Sequence, residues 1–162
     1  MEAFLNTTDP WNDVAFIVYL FFISILLIIA SYILISIAYS KALKLMHYQK
    51  TWMGWIPVVK NYALADCIKS DNGKITFLNS EMDSTVFNVL CLIMGILQFS
   101  SINSPTSILY YIAKTLLLGT CFTHIYAYVE GKNKTETAAI GYVSGLFGIV
   151  AIFKILSYPK NA

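Results

Sequence analysis

The chain has 162 residues, of which 57% are hydrophobic and only 12% charged, and its mean hydropathy is +0.65. A soluble domain carries about twice that share of charge, so the composition excludes an ordinary water-soluble globule and indicates one membrane unit over residues 1–162. A net charge of +2, with every basic residue a lysine, is too small and too scattered for nucleic acid.

Asp9-Pro10 has the form of a helix cap followed by proline in the first turn, and Asp13 adds negative charge there. The apolar run that follows predicts a first span over residues 14–39, long enough to cross the roughly 30 Å hydrocarbon layer. Ser24, Ser31 and Ala38 recur at intervals of seven and form a small-residue stripe that lets a neighbouring helix approach.

Lysines at positions 41, 44 and 50 follow this span, whereas none precedes it, so this connection is expected in the cytoplasm and the N-terminus outside. Residues 52–70 are apolar and aromatic but are interrupted by Pro57, Lys60, Asn61 and Asp66. They predict a short interfacial or re-entrant helix, with Trp52 and Trp55 as interfacial anchors and Pro57 as first helical residue. Lys69, three residues after Asp66, is placed to pair with it. Asp71-Asn72-Gly73 is a turn, and a polar passage through Asn79, Glu81 and Asp83 reads as an exposed loop.

Asp83 or Ser84 caps a second span over 86–102, at the short end of the usual range. Asn103-Ser104-Pro105 then turns the chain into a third span over 106–128. Two lysines in the Glu130–Glu136 connection make that loop cytoplasmic, and Thr135 is a candidate cap for a fourth span over 138–158. The expected fold is therefore all-α: a bundle of four transmembrane helices with both termini outside.

Candidate functional residues are polar groups inside apolar runs. Lys114 lies near the middle of the third span, where a charged side chain costs about 2.5–3.5 kcal/mol on insertion scales. With Tyr110, Ser107 and Cys121 it marks a polar seam, to which Gln98 on the second span and His124 near the cytoplasmic end belong as candidate path residues. Snorkelling towards the headgroups is the competing account of Lys114 and the favoured one for Lys154. Asn88 and Gln98 are expected to bond across to the facing helix. Gly141, Gly145 and Gly148 share one face of the fourth span and, with Ser24 and Ser31, are candidate helix-packing positions; a contact inside the bundle is preferred to one between copies.

No paired intramembrane carboxylates, nucleophile motif, phosphate loop or metal-ligand spacing occurs, so no catalytic residue, metal or cofactor is expected. Cys67, Cys91 and Cys121 stand far apart and read as small buried hydrophobes. The lysine-rich end of the first span, followed by Trp52-x-x-Trp55-Ile56-Pro57 and Asn61-Tyr62, resembles small, largely uncharacterised four-helix membrane proteins of low-GC Gram-positive bacteria. The stretch from Ile125-Tyr-Ala-Tyr to Pro159 is similar to their last hairpin. The resemblance implies a bacterial cell-membrane location and no assigned activity. The expected function is a non-enzymatic membrane subunit or scaffold, with the lipid bilayer and a protein partner or a homo-oligomer as contacts. The alternative is a channel, transporter or pore using the polar seam.

Overall fold

The computed structural model describes residues 10–78, 80–98 and 106–159, with side chains from 14 and, in the last stretch, from 108. The chain divides into two units, Met1–Leu34 and Ile35–Ala162. The structure is mostly helical: α1 Pro10–Leu45, α2 Val59–Cys67, α3 Ser84–Leu97, α4 Thr106–Glu130, α5 Lys134–Leu146 and α6 Gly148–Ser157, with a 3-10 turn at Thr51–Trp55. The expected turn at Asn103–Pro105 and the Asp9 cap lie outside the described residues.

The first unit contains only the leading part of α1. From Val14 to Leu34 nearly every large apolar side chain is exposed, as the lack of any charge over this stretch requires if lipid is its solvent.

The second unit is built around α4, and its contacts show that two segments go in and come back. Gly54 lies so close to α1 that an added Cβ would be 2.7 Å from the Ser40 nitrogen, and Gly95 on α3 approaches the Val58 carbonyl in the same way. Asp66 at the far end of α2 accepts from Asn88 (3.2 Å) and from the Tyr48 hydroxyl (2.8 Å). Residues 48–66 are thus a closed hairpin whose tip is Ile56-Pro57-Val58, with α2 antiparallel to α3. The Ile56 carbonyl accepts from Lys60 N at 3.0 Å, so Pro57 sits in the opening turn, where its missing N–H is harmless, although regular α-helix begins only at Val59.

The same form recurs after α4. Helix α5 runs back along α4: Thr137 donates to the Thr123 carbonyl (3.0 Å), Tyr126 and Ser144 share a hydrogen bond (2.9 Å), and Gly145 rests on the backbone of Gly119 and Thr115. At Phe147 the backbone becomes extended (φ −107°, ψ 90°) and α6 turns round. Lys154 and the Tyr158 hydroxyl both reach the Glu130 carboxylate (2.5 and 2.6 Å), and Lys41 donates to the Leu156 carbonyl (3.0 Å) and to that of Tyr158.

These contacts correct the expected four-span bundle. Only α1 (Val14–Leu45) and α4 (Ile108–Glu130) are long and apolar enough to cross a membrane among the described residues. Residues 138–158 are two short helices rather than one span, because Glu130 recaptures Lys154 and Tyr158. The C-terminal end consequently lies beside Glu130 and not at the opposite end of α4. Helix α3, at 14 residues, extends about 21 Å and is too short to cross alone.

The loop expected at 74–83 is an antiparallel hairpin of strands β1 Lys74–Phe77 and β2 Ser80–Asp83, with Ile75 opposite Met82. Ile75 is buried while Thr76 and Lys74 face outward, the alternation a half-buried strand requires. Asp83 caps α3 as expected, its carboxylate accepting from Thr85 N at 2.7 Å.

Candidate functional site

The second unit has a charged end and an apolar end. Lys69, Asp71, Lys74, Glu81, Asp83, Lys132, Lys134 and Glu136 are all exposed, and all belong to the connections at the end where Tyr48, Asp66 and Glu130 lie. Towards the hairpin tips the exposed side chains are instead Trp52 and Trp55, Ile93 and Ile96 on α3, Ile108, Leu109 and Ile112 on α4, and Phe147, Ile149 and Phe153. A water-soluble surface rarely carries so much contiguous apolar area.

At the charged end, Asp66 is the centre of a network. Its carboxylate accepts from Lys69 (3.0 Å), Tyr48 (2.8 Å) and Asn88 (3.2 Å). Burial opposes its ionisation, but the bonds from Lys69, Tyr48 and Asn88 outweigh burial and hold the carboxyl below the usual carboxylate range. Burial and the bond to Asp66 push the Tyr48 phenol up, and burial pushes the Cys67 thiol up to about 12. Asn88 therefore bonds to α2 and not across to α4, which corrects that expectation; its carbonyl oxygen is buried without a partner.

His124 also lies at this end. Its Nε2 is 3.1 Å from the Thr76 carbonyl, and Lys134 donates to the Thr76 hydroxyl at 3.2 Å, tying the β-hairpin to α4 and α5. His124 and Lys134 line a cleft of about 340 Å³ with Thr120, Thr123 and Tyr142, and a second of about 500 Å³ with Lys69, Lys132 and Tyr128.

Nearer the apolar end is a different group. Tyr39 on α1, 8% exposed, packs edge-on to Phe122 at 6.1 Å. The Lys60 ammonium lies 5.1 Å from the Tyr39 ring centre, and Lys114 lies 6.0 Å from that of Tyr111, whose ring meets Tyr110 at 5.5 Å. Lys60 and Lys114 are both half-buried. Helix α2 buries Asn61, Ala63, Leu64 and Ala65 and leaves Lys60 half-buried, where it meets Tyr39 of α1.

The expected polar seam is thus two separate groups. Lys114 stands with Tyr110 and Tyr111, whereas His124, ten residues further along α4 and about 15 Å away at 1.5 Å per residue, belongs to the charged end. Cys121 is fully buried beside Cys91. Gln98 ends α3 half-buried, and the Ser107 side chain lies outside the described residues. Lys154 does not snorkel outward: besides Glu130 it lies over the rings of Tyr126 (5.6 Å) and Tyr158 (5.5 Å).

Of the packing candidates, Gly141 and Gly145 are occupied by α4, while Gly148 faces open space. Ser24 donates to the Leu20 carbonyl of its own helix (2.8 Å) and is not closed off, and Ser31 is exposed. The sequence marks Lys60 only as an interruption and Tyr39 only as the end of a span, and pairs neither with the other. The available signal was a lysine with no carboxylate within one helical turn before it, in an otherwise apolar hairpin. No protein-family model matches this chain, and neither a curated protein nor a solved structure matches it.

Proposed function

We propose that the chain is a non-enzymatic membrane protein, of the bacterial kind its Trp-x-x-Trp-Ile-Pro stretch resembles, working as a subunit or scaffold through helix contacts with another copy or a larger complex. The observation that carries this reading is the leading part of α1, where Val14 to Leu34 expose apolar side chains on every face within their own unit. Ser24 and Ser31 leave room there for close approach by another helix. Against chemistry stands the use of the carboxylates: among the described residues Asp66 and Glu130 alone are withdrawn from the exposed surface, and both are committed to ion pairs.

In this reading α1 and α4 cross the membrane. The hairpins 48–66 and 134–158 enter the bilayer from the lysine-rich side and leave on that side, since irregular backbone is tolerated at depth where protein surrounds it. The lysine-rich side is cytoplasmic by charge, which puts the N-terminus outside and, in contrast to a four-span bundle, the C-terminus inside. Disulfide cross-linking of single cysteines at Ser24 and Ser31, in a background without native cysteines, tests the subunit role. A defined cross-linked oligomer or a stoichiometric partner in mild detergent is expected; a monomer at both positions with no partner contradicts it.

A further inference from the structure

The larger cleft at the charged end gathers cations without anions. Lys69 from the end of α2, Lys132 from the connection after α4 and Lys134 from the start of α5 line it with His124 and Asn133, and no carboxylate does so among the described residues. Each ammonium group carries three donor protons and gives one to the protein: Lys69 to Asp66 (3.0 Å), Lys132 to Glu130 (2.8 Å) and Lys134 to the Thr76 hydroxyl (3.2 Å). In both carboxylate pairs the lysine side chain is half in solvent, where such pairs are weak and yield to another anion. Lys134 has no carboxylate partner among the described residues. The backbone adds donors of its own. Asn133 stands in the cap position of α5 yet makes no capping bond, its side-chain amide donating instead to Glu136 (3.3 Å). The N–H groups of the first turn are thus left without a side-chain acceptor where Asn133 and Lys134 line the cleft.

We propose that this cleft binds a phosphate-bearing ligand, its phosphoryl oxygens lying among the ammonium groups of Lys69, Lys132 and Lys134 at the N-terminus of α5. A carboxylate brings one charge and two oxygens in a plane. A terminal phosphoryl group brings nearly two charges and three oxygens, which suits donors arriving from three separate segments. Lysine binds phosphate as a point charge, without the planar fork of arginine, which this chain lacks altogether. At about 500 Å³ the cleft exceeds a single phosphoryl group, and Met46, Ile68, Ala127 and Tyr128 give the rest of the ligand an apolar wall. The phosphoryl group belongs to a lipid headgroup or to a soluble phosphate. Basic clefts between helices at the cytoplasmic face of a membrane protein suit the first source, and the position of the cleft among the charged connections suits the second.

The test uses the full chain in an uncharged detergent, with unfolding followed by loss of helical circular dichroism. Dioctanoyl phosphatidic acid, dioctanoyl glycerol and inorganic pyrophosphate are titrated separately at constant ionic strength made up with sodium chloride. At least one phosphate compound should raise the unfolding midpoint with saturation, while dioctanoyl glycerol and chloride should not. A shift from pyrophosphate assigns a soluble-phosphate site, and a shift from the lipid alone assigns a headgroup site. Lys134→Met should weaken the apparent affinity about tenfold, as loss of one charge-assisted bond implies, while Lys74→Met, outside the cleft, leaves it unchanged. In the wild-type protein the bound ligand should also protect Lys132 and Lys134, but not Lys74, from acetylation read by mass spectrometry, which locates the site even where a variant fails to fold. The proposal is overturned if neither phosphate compound acts beyond its control, if the shift is undiminished in the Lys132→Met/Lys134→Met double variant, or if the three lysines are acetylated alike with and without ligand.

Discussion

Asp66 shows how one side chain closes a hairpin. Tyr48, Lys69 and Asn88 come from the start, the end and the neighbour of the 48–66 segment, and they converge on a carboxylate whose side chain is only 16% exposed. The folded carboxyl titrates below the unfolded value of about 4, so its stabilisation is complete above that pH and is lost as the pH falls through the folded value. Asp66→Asn should lower stability by about 2 kcal/mol at neutral pH, as loss of bonds to a charged acceptor implies. The gap between variant and wild type should close as the pH is lowered below 4, when followed by thermal unfolding in detergent; a gap that is constant with pH contradicts this role. One of these three partners is readable in the sequence, because Lys69 lies three residues from Asp66. Tyr48 and Asn88 are eighteen and twenty-two residues away, and no periodicity links them.

At the scale of elements, the question is why residues 134–158 return and do not continue. Helix α5 is drawn against α4 by glycine: a Cβ on Gly145 would stand 2.6 Å from Gly119 N and 2.7 Å from the Thr115 carbonyl oxygen, both backbone atoms that cannot step aside. Gly145→Leu should therefore cost about 1–3 kcal/mol or more by overpacking. Gly148→Ala, where nothing lies within 4 Å, should be neutral or slightly stabilising, since alanine loses less backbone entropy. Comparable losses at both positions in a thermal unfolding assay contradict the internal use of this face. The glycine spacing was visible in the sequence, but the break at Phe147 was not, because neither proline nor a charge marks it. Lys154 was the available clue: its partner Glu130 sits on the far side of a connection that a hydropathy reading treats as a boundary.

At the scale of the whole molecule, α1 and α4 are the helices among the described residues long and apolar enough to cross a membrane, and apolar length alone overcounts elsewhere, since a hairpin of two short apolar helices has the same composition as one crossing. The β-hairpin at 74–83 escaped notice because four-residue strands carry too little alternation to stand out among Asn79, Glu81 and Asp83. The central claim is that the segment after α4 enters and leaves on one side. Single cysteines at Asn133 and Pro159, in a background with Cys67, Cys91 and Cys121 replaced by alanine, test it when labelled with a membrane-impermeant thiol reagent in intact cells and in inverted vesicles. Both positions should label in inverted vesicles and neither in intact cells; Pro159 reacting from outside while Asn133 reacts only from inside would show that residues 138–158 cross the membrane and would contradict the hairpin.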